Sequence, residues 1–115
     1  MRTFVLLTAF FLVATGCAVA RALLPGDLIA HGSTYDGQTV SVVGTVSDLR
    51  AHVSRKGNAY ATFELCASSA CVRVFEWGTP ALSDSQRLTV HGKFSVEKRV
   101  GPYTFHDEIE SDAQP

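Results

Sequence analysis

The chain has 115 residues, 46% of them hydrophobic and 18% charged, with 10 basic side chains against 11 acidic ones. A chain of that length makes one domain with a modest core. The slight acidic excess argues against a protein that holds nucleic acid by bulk charge, a class that is usually basic, and leaves only a local basic patch to serve such a role.

Met1-Arg2-Thr3 is a short basic start, and the apolar run from Phe4 to Ala14 is interrupted only by Thr8. Small residues follow as far as Ala22, which completes the order of a secretory signal. The run is too short for a membrane span, which needs about 20 apolar residues. Two cleavage sites compete. Ala14-Thr15-Gly16-Cys17 resembles the lipobox of bacterial lipoproteins, with Ala14 where that family usually has Leu, and implies lipidation of Cys17. Ala20-Arg21-Ala22 fits the A-x-A rule for a soluble product. Residues 1–22 are therefore expected to be a signal peptide and the product to be exported, periplasmic or lipid-anchored. Cleavage after Ala22 removes Arg2 and Arg21, leaving 8 basic residues against 11 acidic, net −3.

Residues 23–37 read as a linker with one short helix: Pro25-Gly26-Asp27 starts it, Leu28 to Ala30 are apolar, and Gly32-Ser33 ends it. The period then changes to two. From Gln38 to Leu49, Val40, Val42, Gly44 and Val46 share one face, with Gly44 placed where a strongly bent strand would need no side chain. Ser54 to Asn58 is a turn. A second strand, Ala59 to Cys66, sets Ala59, Ala61, Phe63 and Leu65 opposite Tyr60, Thr62 and Glu64. A third, Cys71 to Trp77, sets Val72 and Val74 opposite Arg73, Phe75 and Trp77. Gly78 to Ser85 is the one long connection. The fourth strand runs from Arg87 to about Lys98 with Leu88, Val90, Gly92, Phe94 and Val96 inward, and Gly101-Pro102 turns into a fifth, Tyr103 to Ile109. Glu110 to Pro115 reads as a polar tail. The predicted fold is all-β, a five-stranded barrel over residues 38–110, and an OB-fold fits it.

Cys66 and Cys71 flank the turn between the second and third strands. Directly facing residues there come within about 4.5 Å at Cα, close enough for a disulfide, and an exported compartment would oxidise them. The spacing is not that of a zinc site, and a redox pair would favour C-x-x-C.

Thr39 to Val46, Lys56 to Leu65, Val72 to Phe75 and Leu88 to Phe94 together resemble bacterial OB-fold domains of the anticodon-binding, nucleic-acid-binding type. Where those domains usually carry an Asp-Gly turn, this chain has Cys66 to Cys71. The resemblance implies a ligand surface on the second and third strands, offering Tyr60, Thr62, Glu64, Arg73, Phe75 and Trp77. Flanking loops would add Arg50, His52, Arg55 and Lys56 on one side and Lys98, Arg99 and Tyr103 on the other. Rings beside cations suit single-stranded nucleic acid, which stacks its bases and presents phosphates. An envelope protein or an oligosaccharide is the alternative partner.

Neither a nucleophile elbow, a P-loop nor H-E-x-x-H occurs, so no catalytic residue, metal ligand or cofactor is assigned. A weaker resemblance is to the OB-fold haem chaperones of cytochrome c maturation, through His106-Asp107-Glu108 and Val74 to Leu82. That family has Tyr four residues after its His, and this chain has Glu110.

Overall fold

The computed structural model describes residues 22–112. Residues 1–21 of the segment read as a signal, with Cys17 and its lipobox-like motif, lie outside the described residues. Two short helices, α1 (Pro25–Ala30) and α2 (Gly32–Tyr35), precede five strands: β1 (Thr39–Val53), β2 (Ala59–Ala67), β3 (Ala70–Trp77), β4 (Arg87–Val100) and β5 (Tyr103–Ser111). The strands close a ring in the order β1-β2-β3-β5-β4, with β4 returning to β1. Every neighbouring pair is antiparallel except β3 and β5.

Closure depends on two long strands that each serve two neighbours. The first half of β1 pairs with β4, from Thr39 opposite Lys93 to Thr45 opposite Arg87, and the second half with β2, from Thr45 to Val53. Likewise β4 leaves β1 for β5 around Gly92 and Lys93. At each handover the chain bends sharply and packs backbone against backbone, so a glycine stands there. A Cβ on Gly44 would lie 2.9 Å from Leu65 Cγ and 3.0 Å from the Cys66 carbonyl oxygen, and one on Gly92 would collide with the Glu110 carbonyl.

Most inward residues are those the alternation assigned; Ile109 joins them from β5, and Ala59, placed on the same face as Phe63 by the alternation, is exposed. Val40, Val42, Val46, Phe63, Leu65, Val72, Val74, Val90, Phe94 and Ile109 form one core with Leu28 of α1. Helix α1 begins at Pro25, and the Asp27 carboxylate accepts the Leu24 amide at 2.8 Å. Before β2 begins, Leu23 lies along the open edge of β1, donating to Ser41 O and accepting from Val43 N. At the far end of β2 and β3, Cys66 faces Cys71 and the two form a disulfide, their Cα atoms 4.1 Å apart.

Several boundaries differ from expectation. Gly32-Ser33 opens a second helical turn rather than ending the helix, and the chain reverses at Gly37, whose φ is 83°. Glu110 and Ser111 belong to β5 rather than to a tail. Strand β1 continues past Leu49 because of a bulge. Asp48 takes φ 56°, and the register with β2 slips between Ser47 and Arg50. The slip turns Leu49 toward the core and keeps the strand paired to Val53. Another residue at positive φ, Asp107 (52°), interrupts β5.

Overpacking a tight contact costs about 1–3 kcal/mol. Gly92→Ala, which meets backbone, is expected at or above the top of that range, and Gly44→Ala, which partly meets the movable Leu65 side chain, nearer the bottom. Urea unfolding checks this; a Gly92→Ala midpoint equal to that of the wild type contradicts it.

Candidate functional site

The outward rows of β2 and β3 carry aromatic side chains at the end of the hairpin away from the disulfide. Tyr60 faces Trp77, and Thr62 faces Phe75. The rings of Tyr60 and Phe75 stack at 5.0 Å, His52 stacks on Tyr60 at 4.8 Å, and Trp77 stands edge-on to Phe75 at 5.0 Å. Aromatic pairs of this kind add about 0.5–1.5 kcal/mol each beyond their burial, so the cluster holds its shape without a ligand.

Opposite it stands the β4–β5 hairpin, which brings Val100, Tyr103 and Phe105 to face the aromatic wall. Between the two lies a groove of about 630 Å³ whose lining also includes Arg55, Arg73, Lys98, Glu108 and Glu110. That volume falls in the range of small-ligand sites. Trp77 is 48% exposed and Tyr103 64% exposed, so large apolar rings stand in water at its mouth.

A buried acid organises the floor. Glu108 is only 2% exposed, and both its carboxylate oxygens are occupied: Arg73 Nε donates to one at 2.8 Å, and Lys98 Nζ lies 3.2 Å from the other. Lys98 also reaches Glu110 at 3.3 Å. A buried carboxylate without partners would cost several kcal/mol, and here two cations offset that cost. Each cation also rests on a ring. The Arg73 guanidinium lies 4.4 Å from the centroid of Phe105, and the Lys98 ammonium 5.2 Å from that of Phe75, both within cation–π range.

The expected residues are thus divided. Tyr60, Arg73, Phe75, Trp77, Arg55, Lys98 and Tyr103 come together in the groove. Thr62 does not join them as an open contact. It is 5% exposed, and its hydroxyl shares a 3.0 Å hydrogen bond with His52 Nε2, because the bulge in β1 carries His52 across it. Arg50 turns to Asp48 at 3.1 Å and borders a smaller polar pocket of about 290 Å³, shared with Asp48, His52, Thr62, Glu64 and Arg73. Lys56 and Arg99 are exposed and outside the groove lining. His106 is also exposed and outside it.

Five lining residues, Ser54, Val100, Phe105, Glu108 and Glu110, escaped the sequence reading. Strict alternation from the buried Ile109 would turn Phe105 inward. The positive φ at Asp107 reverses the alternation, so Phe105 shares the groove with Glu108 and Glu110. An Asp in the middle of a strand was the only available signal, since Asp tolerates the left-handed region better than most residues.

No known protein family matches the chain, and a search of curated proteins finds no relative.

Glu108→Gln keeps the shape and removes the charge that two cations share, so it is expected to lower stability by about 1–3 kcal/mol. Glu110→Gln, on a side chain 46% exposed, should cost under about 1 kcal/mol. Urea midpoints for both variants test the difference, and equal shifts would remove Glu108 from its organising role.

Proposed function

We propose that this chain is an exported, non-catalytic OB-fold module that binds single-stranded nucleic acid in the groove between β2–β3 and the β4–β5 hairpin. The strand order β1-β2-β3-β5-β4 and the flanking of the groove by the β1–β2 and β4–β5 turns support the OB-fold reading. The Cys66–Cys71 disulfide is compatible with an oxidising compartment. The lipobox-like Ala14 to Cys17 supports a lipid anchor at Cys17 as one form of the mature protein.

The observation that carries the reading is the ring cluster of Tyr60, Phe75 and Trp77 facing Tyr103 across an open groove. Every nucleobase has a π-face, and stacking on an aromatic side chain contributes about 1–3 kcal/mol per base. Charge contributes less than the sequence alone suggests. Arg73 and Lys98 are already paired with Glu108, and among the described residues no carboxylate pairs with Arg55, Lys56 or Arg99. Binding on this reading is driven by stacking, with only those three cations exchanging salt ions for phosphates.

A neutral oligosaccharide is the second reading. The pairing of Arg73 and Lys98 with Glu108 favours it, since such a floor offers donors and acceptors to hydroxyls without demanding an anion.

Trp77 is the sole tryptophan, and its emission reports directly on the groove. Titration with single-stranded DNA should quench it, with a log K against log salt slope no steeper than about −2 for three phosphate contacts. Trp77→Ala should weaken binding of a fluorescently labelled strand by roughly 5- to 100-fold. Absence of quenching at low salt retires the nucleic-acid reading; salt-independent quenching by a neutral glycan would install the second one.

A further inference from the structure

Arg73 occupies an unusual position. Its Nε is committed to Glu108 at 2.8 Å, and its guanidinium carbon lies over the Phe105 ring, 4.4 Å from the centroid. Among the described residues, no further hydrogen bond engages its two terminal nitrogens. The side chain keeps 30% of its surface exposed. It borders both the aromatic groove and the adjoining polar pocket, so the residue stands on the wall between them. With Nε held by a carboxylate and Cζ placed over a ring, the guanidinium keeps its two terminal nitrogens as a pair of donors on a residue that lines the groove. Such a fork suits two acceptors lying side by side in a plane.

We propose that Arg73 makes this groove selective for guanine within a single strand. The proposal rests on the nucleic-acid reading and names the base that the reading leaves open. Guanine presents O6 and N7 as adjacent acceptors, the edge that arginine reads bidentately. Adenine puts its N6 amino group beside N7, where a guanidinium would meet a donor. A purine also offers the larger face to the two walls, Tyr60 with Phe75 on one side and Tyr103 on the other. Glu110, 46% exposed on the same floor, supplies an acceptor for the guanine N1–H and amino group.

The fork is distinct from a phosphate contact in what it predicts. A phosphate-binding arginine weakens all sequences alike when it is replaced, whereas a base-reading one loses discrimination at one position. Lysine keeps the charge beside Glu108 but offers no planar fork, so Arg73→Lys separates the two roles.

The test uses short oligo-dT strands carrying one central dG, dA or dC, or none, with Trp77 quenching as the readout. The wild-type protein is expected to bind the dG strand roughly 5- to 100-fold more tightly than the dA strand. Arg73→Lys is expected to bring the dG strand down to the affinity of plain oligo-dT. Equal affinities for all four strands, or a preference for another base, overturn the guanine assignment and leave the nucleic-acid reading standing. A dG preference that survives in Arg73→Lys overturns the role of Arg73. Failure of the wild-type protein to bind any strand sinks the nucleic-acid reading itself, and this inference with it.

Discussion

One buried carboxylate holds the working end of this barrel together. Glu108 sits on β5, Arg73 on β3 and Lys98 on β4, so its two oxygens tie together three strands that meet at the groove floor. The seam most in need of such a tie is β3 against β5, the one parallel pairing of the ring, with only three register partners from Arg73–Glu108 to Phe75–Glu110. Parallel pairs are slightly weaker per residue than antiparallel ones, and a short one gives the ring little to close with. The ion pairs lie directly over this seam. The same contacts also shape the candidate groove, because the cations drawn to Glu108 come to rest on Phe105 and Phe75. Closure of the fold and organisation of the groove are therefore one structural event.

The remainder of the architecture follows from making a ring with few residues. Strands of 15 and 14 residues, β1 and β4, each bend so as to pair with a different neighbour along each half. Bending brings backbones too close for side chains, which explains Gly44 and Gly92. It also leaves the pleat out of phase with the core at two places. Asp48 and Asp107 accept positive φ there, and at each the alternation of faces along the strand is reversed between the residues on its two sides. At Asp48 the reversal turns Leu49 inward and lays His52 over Thr62; at Asp107 it delivers Phe105 to the groove. Local backbone strain is thus placed beside the site, where it re-aims side chains that regular alternation would have buried.

These reversals also mark how far the sequence could be read. The inward faces of β1, β2, β3 and β4 were legible because valine and phenylalanine alternate with polar residues, and period two has only one face to offer a core. The disulfide was legible because Cys66 and Cys71 flank a tight turn. The β2–β3 wall of the groove followed from the same alternation. What could not be read was any contact that depends on a break in the pattern. Thr62 lies on the predicted outward face, yet a neighbouring strand with a bulge covers it. Asp107 and Glu108 drew notice only as part of His106-Asp107-Glu108, because nothing in a linear pattern indicates that Arg73 and Lys98 will converge on the second acid from two other strands.

The buried acid also changes what the groove's cations can do. Arg73 and Lys98 read in sequence as two of several rim charges awaiting phosphates; in the fold they have partners, and an anion would have to compete with Glu108 for them. A charge so satisfied contributes little to non-specific attraction, which is the part of nucleic-acid affinity that salt erodes. It contributes more to recognition, since a side chain already confined by a carboxylate and a ring has less rotamer freedom to lose when a ligand arrives. On the proposed reading, the aromatic walls would supply most of the binding energy and the guanidinium the choice among ligands. On that reading, an acidic domain would bind an anionic strand selectively by giving each charge on the groove floor a fixed partner rather than by accumulating positive charge.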